Sequence, residues 1–314
     1  MIHRLVTTSA NPVRSEFKVP RSPSGKPFSL EEAYAYCDAI ALGHYDNFPV
    51  ASRLLPTRLR HHVSAVYAFA RTADDFADEP RFRDERAELL DDWQASLERA
   101  FFGEAEHPIF IALADTAKQC DLPIGPLSDL LTAFRMDLST TRYATFSALQ
   151  QYIAHSAHPI GRLMLYIFGH RDAALHRFSD DICSALHLTN FVQDVALDLD
   201  RGRVYLPAED LLHFGVDEAD LHKRRMNDRI VQLLRFEAAR ARSLLYRGEP
   251  LIGLLSSELR GELTMIWHSA RRILEKLDRV HYDVFGKRPT LTTLDKAELL
   301  ARGAYAQLRR HSTI

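Results

Sequence analysis

From Ser29 onward the apolar residues recur mostly at three- and four-residue spacing, while alternating runs of β-branched residues are nearly absent. That period restricts the chain to an all-α fold. Ser29 and Glu32 have the spacing of a capping box and predict a first helix to about Leu42. A second is predicted from Thr57 to Asp78, with Pro56 at its start and Pro80 beyond its end. Further helical patterns cover roughly 84–101, 108–119, 124–139, 146–168, 172–200, 224–247, 256–283 and 292–310. The breaks between them, at Gly103, Pro123, Gly169, Gly202, Pro207, Gly215, Pro250 and Pro289, contain no long linker and no solenoid period. The expectation is one helical domain over 28–314 around a central cavity, after a proline-rich mobile tail over 1–27.

Composition removes several classes of function. The 40 basic and 42 acidic residues nearly cancel, so no global field favours nucleic acid. Cys37, Cys120 and Cys183 are odd in number and far apart, which fits a reducing compartment better than a disulfide framework. No stretch approaches the roughly 18 apolar residues of a membrane span, and none resembles a signal peptide. A cytoplasmic protein is expected, with peripheral contact at a membrane left open.

Two acidic ladders carry the chemistry. Asp74 and Asp78 fall four residues apart on one helix face, with Arg71 a turn earlier. Taken alone, this pattern fits a solvated acidic helix end as well as it fits a cation site. Asn190, Asp194 and Asp198 repeat the four-residue step among Leu186, Leu188, Phe191, Val192, Val195 and Leu197. Carboxylates on so apolar a helix are costly to bury without a cation or a wet cavity. Magnesium takes oxygen ligands, keeps several waters and bridges carboxylates to substrate phosphates, which suits such a pair of ladders. Arg201 and Arg203 follow directly, around Gly202, as candidate grips for a phosphate; a basic surface turn is the plain alternative.

With both ladders in this order, followed by Arg201-Gly-Arg-Val-Tyr-Leu-Pro207, the chain from about Ala33 to Leu308 resembles the head-to-head prenyl synthases: squalene, dehydrosqualene and phytoene synthases. The resemblance implies an isoprenoid synthase fold and a cluster of three Mg²⁺ ions on the substrate diphosphate. Asp74, Asp78, Asn190, Asp194 and Asp198 would hold metal, and Arg71 and Arg203 would meet the diphosphate. It also implies active-site places for Asp137, ahead of Tyr143-Ala-Thr145, for Tyr152, and for Tyr282 near the diphosphate.

Departures from the wider family narrow the expectation. The chain reads His44-Tyr-Asp-Asn-Phe-Pro-Val-Ala-Ser52 near its start, Gln193 before Asp194, and Ala154-His-Ser-Ala-His-Pro-Ile-Gly161 at a break usually rich in small residues. The stretches Asn47–Ser52 and Ser156–Arg162 look most like the hydroxysqualene synthase branch of bacterial hopanoid biosynthesis, and Asn47, Phe48 and Gln193 join the substrate contacts expected. That branch acts on presqualene diphosphate and captures the rearranged cation with water, so no NADPH is expected. His44, Asn47, His155 and His158 are candidates to position that water, and Phe69, Phe134, Phe168 and Phe191 to line the chamber; structural roles compete for each. Two alternatives stand beside this one: a synthase condensing two prenyl diphosphates, and a non-catalytic assembly protein on the same fold.

Overall fold

The computed structural model describes residues 20, 25–43 and 55–308. The tail expected over 1–27, and His44, Asn47 and Phe48, lie wholly or almost wholly outside that range. The described residues are helical, with no strand beyond an isolated bridge between Arg142 and Val204. By contact density the chain forms two compact units, one of residues 1–138 and 162–171, the other of residues 139–161 and 172–314.

The first unit is built from α1 (Leu30–Gly43), α2 (Thr57–Asp78), α3 (Arg86–Phe101), α4 (Pro108–Cys120) and α5 (Gly125–Ser139). The capping box forms: Glu32 N donates to Ser29 Oγ at 3.2 Å and Ser29 N to Glu32 Oε2 at 2.8 Å. Helix α2 buries Ala65, Ala68, Phe69, Ala73 and Phe76, and its small residues let α1, α3 and α4 pack closely against it. Phe69 is fully buried between the rings of Trp93 and Phe110, so it is core rather than chamber lining. Tyr34 joins three helices through one hydroxyl, reaching Asp115 at 2.7 Å, Thr116 at 3.0 Å and His62 Nδ1 at 3.1 Å.

The second unit contains α6 (Phe146–Ser156), α8 (Ala173–Gln193), α9 (Val195–Asp200), the short helices α10 (Ala208–His213) and α11 (Glu218–His222), α12 (Asp228–Gly248), α13 (Pro250–Leu254), α14 (Ser257–Arg279) and α15 (Thr293–Leu308). Helix α8 packs along α12 and meets α6 and α14, while α14 packs along α15. Gly261 permits the last pairing, because a Cβ there would stand 2.7 Å from the carbonyl oxygen of Gly303.

Two predicted helices are corrected. The pattern over 146–168 divides into α6 and α7 (His158–Ile167) at Ala157, where φ is -117° and ψ is -44°. Pro159 accounts for this: it has no N–H to donate and its ring opposes a helical carbonyl four residues earlier. The pattern over 172–200 divides at Asp194, with φ -111° and ψ 17°. There the helix bends without losing its ladder: Asp194 N donates to Asn190 O and Asp198 N to Asp194 O, each at 2.9 Å.

Candidate active site

In the first unit, α2 carries Arg71, Asp74 and Asp78. Arg71 and Asp74 are buried, at 5% and 4% exposure, so Asp74 is not a solvated carboxylate. Arg71 Nη2 donates to Asp75 Oδ1, and Nη1 stands 3.9 Å from Asp74 Oδ2. Burial pushes the Asp75 carboxyl up to about 6 against the opposing pull of the Arg71 guanidinium. Asp78 ends the helix half-buried, and its carbonyl accepts from Arg86 Nη2 at 3.1 Å, so a guanidinium satisfies the C-terminal backbone. Asp137 is also buried, on α5. Arg86 could not be found from helical spacing, since it lies outside the helix that it caps.

In the second unit the bend at Asp194 keeps Asn190, Asp194 and Asp198 in register. Asp194 is 2% and Asp198 6% exposed, and Asn190 is half-buried. Arg288 Nε donates to Asp194 Oδ1. Beside it, Gln193 gives its amide proton to the carbonyl of Pro289, so this side chain ties the helix end to the segment around residue 289. Two adjacent residues of the ladder helix thus hold two adjacent residues of a distant loop.

The segment after the ladder is fastened by backbone. Arg203 N donates to Asp198 O at 2.8 Å, Val204 N to Thr141 O at 2.9 Å and Ala208 N to Tyr143 O at 2.9 Å. Gly202 turns the chain at φ +71°, a region glycine occupies without strain, and its carbonyl accepts from Arg142 Nη1 at 2.6 Å. Arg201 is exposed; Arg203 is half-buried and shares a small cavity with Asp198, Phe191 and Tyr205. Arg203 thus lines this cavity together with a ladder carboxylate.

An aromatic cluster adjoins this ladder. The rings of Phe191 and Tyr205 stack 4.0 Å apart at 10°, with Tyr143 and Tyr152 at 6.0 and 5.9 Å from Tyr205. His187 stands edge-on to Phe191 at 4.8 Å and to Tyr152 at 6.1 Å. Tyr152 is buried in this wall, against His187 of the ladder helix. Tyr205 and His187 were missed as members of this wall, because an aromatic or a histidine at helical spacing reads as ordinary core.

Other expected residues have structural partners. His158 Nε2 lies 2.7 Å from Ser184 Oγ and its Nδ1 3.8 Å from Asp180 Oδ1, pegging the start of α7 to α8. Tyr282 is buried with its hydroxyl on Asp278, which also accepts from Arg242 at 2.6 Å. Burial and the Asp278 carboxylate push its phenol up to about 12.

Among the described residues, no three His, Cys, Asp or Glu side chains are gathered into a ready-made metal cage. The donor set still fits magnesium. Hard oxygen ligands are buried at both ladders, and the partners shown for Asp75 and Asp194 are arginines, Arg71 and Arg288, which balance negative charge where a divalent ion would. Magnesium ordinarily completes its shell with water and substrate phosphate rather than with a closed protein site.

Known proteins agree with this architecture. The family model for squalene/phytoene synthase matches residues 42–295. A phytoene synthase from Arthrospira platensis is 32% identical over 296 residues, covering 90% of this chain and 95% of that protein. The 15-cis-phytoene synthase of Synechococcus elongatus is 32% identical over 290 residues, covering 88% and 94%. The crystal structure of squalene synthase HpnC from Alicyclobacillus acidocaldarius superposes with a TM-score of 0.78 at 38% identity, over 81% of this chain and 95% of that one. A dehydrosqualene synthase in complex with ligand gives a TM-score of 0.79 at 27% identity, over 88% and 96%.

The fold is therefore the all-α isoprenoid synthase fold, and the protein is an enzyme of the prenyl diphosphate class. The chain belongs to the squalene/phytoene synthase family. No helix among the described residues is long and apolar enough to cross a membrane.

Proposed function

We propose that the protein is a hydroxysqualene synthase, which ionises presqualene diphosphate, guides its rearrangement and captures the product cation with water. The observation that carries the reading is the second ladder: Asp194 and Asp198 are buried on a helix whose neighbouring face is the aromatic cluster of Phe191, Tyr205 and Tyr152. Carboxylates that would hold a divalent cation, set beside an aromatic wall, suit a substrate with a diphosphate head and a hydrocarbon body. The Ser156–Arg162 sequence, which looks most like the hydroxysqualene synthase branch, supports presqualene diphosphate, and the likeness to the squalene synthase HpnC supports a squalene-type product.

Asp74, Asp78, Asn190, Asp194 and Asp198 are assigned to metal binding. Bound Mg²⁺ would supply positive charge that stabilises the departing diphosphate. Arg71 and Arg203 add donors to the phosphate oxygens, worth most where water is excluded. Asp137, Tyr282, Asn47 and Phe48 are assigned to substrate binding on the sequence resemblance, and Gln193 fastens the end of the second ladder helix to Pro289. Tyr152 and Phe191 present ring faces to the cation.

A second reading, condensation of two prenyl diphosphates, is favoured by the phytoene synthases among the relatives. The assay that separates the two supplies purified protein with Mg²⁺ and, separately, presqualene, farnesyl and geranylgeranyl diphosphates, without reductant. Hydroxysqualene from presqualene diphosphate is the expected product. Turnover of only the linear diphosphates, or a parallel incubation with NADPH that gives squalene in place of the alcohol, removes the hydration reading.

A further inference from the structure

The polar stripe on α8 begins one turn before its first expected ligand. His187 lies three residues before Asn190 and seven before Asp194, spacings that place all three on one helix face. It is 5% exposed, and its ring is set edge-on to both Phe191 and Tyr152. Its Nε2 faces Ser156 Oγ at 3.5 Å, across from the C-terminal end of α6. A hydroxyl and an imidazole are therefore paired within the aromatic wall, on the same stripe as the ladder carboxylates.

Placement distinguishes this pair from the other histidines near the α6–α7 break. His158 is hydrogen-bonded to Ser184 and lies near Asp180, both on α8, whereas the ring of His187 lies within the aromatic cluster itself. Aromatic faces stabilise a carbocation without reacting with it. Quenching requires a polar atom that can hold one water and accept its proton, and a neutral imidazole provides it.

We infer that His187, with Ser156, positions the water that quenches the rearranged cation. This rests on the hydration reading above. The diphosphate leaves with the electron pair of its C–O bond; after rearrangement the water oxygen donates a pair to the cationic carbon, forming the carbinol C–O bond. The surplus water proton passes to the His187 imidazole. Ser156 fixes the orientation of that ring and of the water.

The test measures product partition, normalised to diphosphate released, so that it does not depend on whatever rate remains. Wild type, His187→Phe, His187→Gln and Ser156→Ala are incubated with presqualene diphosphate and Mg²⁺ in ¹⁸O-labelled water without reductant. The ratio of labelled alcohol to the hydrocarbon that the same cation gives by losing a proton to the released diphosphate should fall about 100-fold or more in His187→Phe, in the range of lost acid–base assistance. It should fall less in His187→Gln, which keeps a polar atom at the ring's end, and intermediate losses are expected for Ser156→Ala. An unchanged ratio in these variants overturns the role of His187; if one variant does not fold, the others still decide. Wild type that yields no labelled alcohol overturns the hydration reading itself, and with it this inference.

Discussion

Arg288 donates through Nε to Oδ1 of Asp194, joining an arginine that is 39% exposed to a carboxylate that is 2% exposed. The pair brings the segment around residue 288 against the bend in the ladder helix. Removing the guanidinium would leave the buried carboxylate without this charge-assisted bond, a change costing about 1–3 kcal/mol. Arg288→Ala should lower the unfolding free energy by that amount in EDTA, measured by urea titration followed by circular dichroism. Arg288→Lys should recover part of it, and no more than part, since an ammonium lacks the planar donor array.

Gly161 admits the close approach of α7 to α8. A Cβ at this position would stand 2.3 Å from Ser179 Oγ and 2.7 Å from Cys183 Sγ. Gly161→Ala should destabilise the protein by about 1–3 kcal/mol through overpacking. Adding Ser179→Ala removes the nearer atom and should return part of the loss, a coupling that a double-mutant cycle on thermal or urea unfolding will show. Gly261→Ala meets the backbone carbonyl of Gly303 at 2.7 Å, so no side-chain truncation on the facing helix should rescue it fully.

Glu262 is buried on α14 at 2% exposure, and burial alone pushes its carboxyl from 4.5 up to about 8. The folded state therefore retains a proton that the unfolded chain releases above its own carboxylate pKa. Stability should fall as pH rises from about 4.5 to about 8, by at most ~1.4 kcal/mol per pH unit from this group. Glu262→Gln should flatten that part of the profile and gain on wild type as pH increases, read from urea midpoints at pH 5, 6.5 and 8.

The helical fold was legible because its signals are local. Pro56 and Pro80 bracket α2, whose observed span Thr57–Asp78 matches the expectation, and Ser29 with Glu32 opens α1 as the capping box implies. The bend at Asp194 was not legible, since the apolar period continues across it and the backbone bonds persist. Both ladders could be read from spacing, and burial then separated Asp74 from a solvated helix end. Arg288 could not be found this way: it lies 94 residues from Asp194 in a loop without periodicity. His187 was hidden for another reason, as a histidine among apolar residues reads as satisfied core until its neighbours Ser156 and Phe191 are seen.

The central claim, proposed above, is that each aspartate ladder is required for magnesium-dependent binding of diphosphate. Titration calorimetry of inorganic diphosphate into wild type, Asp74→Asn and Asp194→Asn, each with Mg²⁺ and again with EDTA, tests it without reference to turnover. Wild type should bind diphosphate only with Mg²⁺ present, and either substitution should weaken that binding about 100-fold or more, as loss of essential electrostatic partners does. Equal binding in EDTA, or unchanged affinity in both variants, would contradict the account.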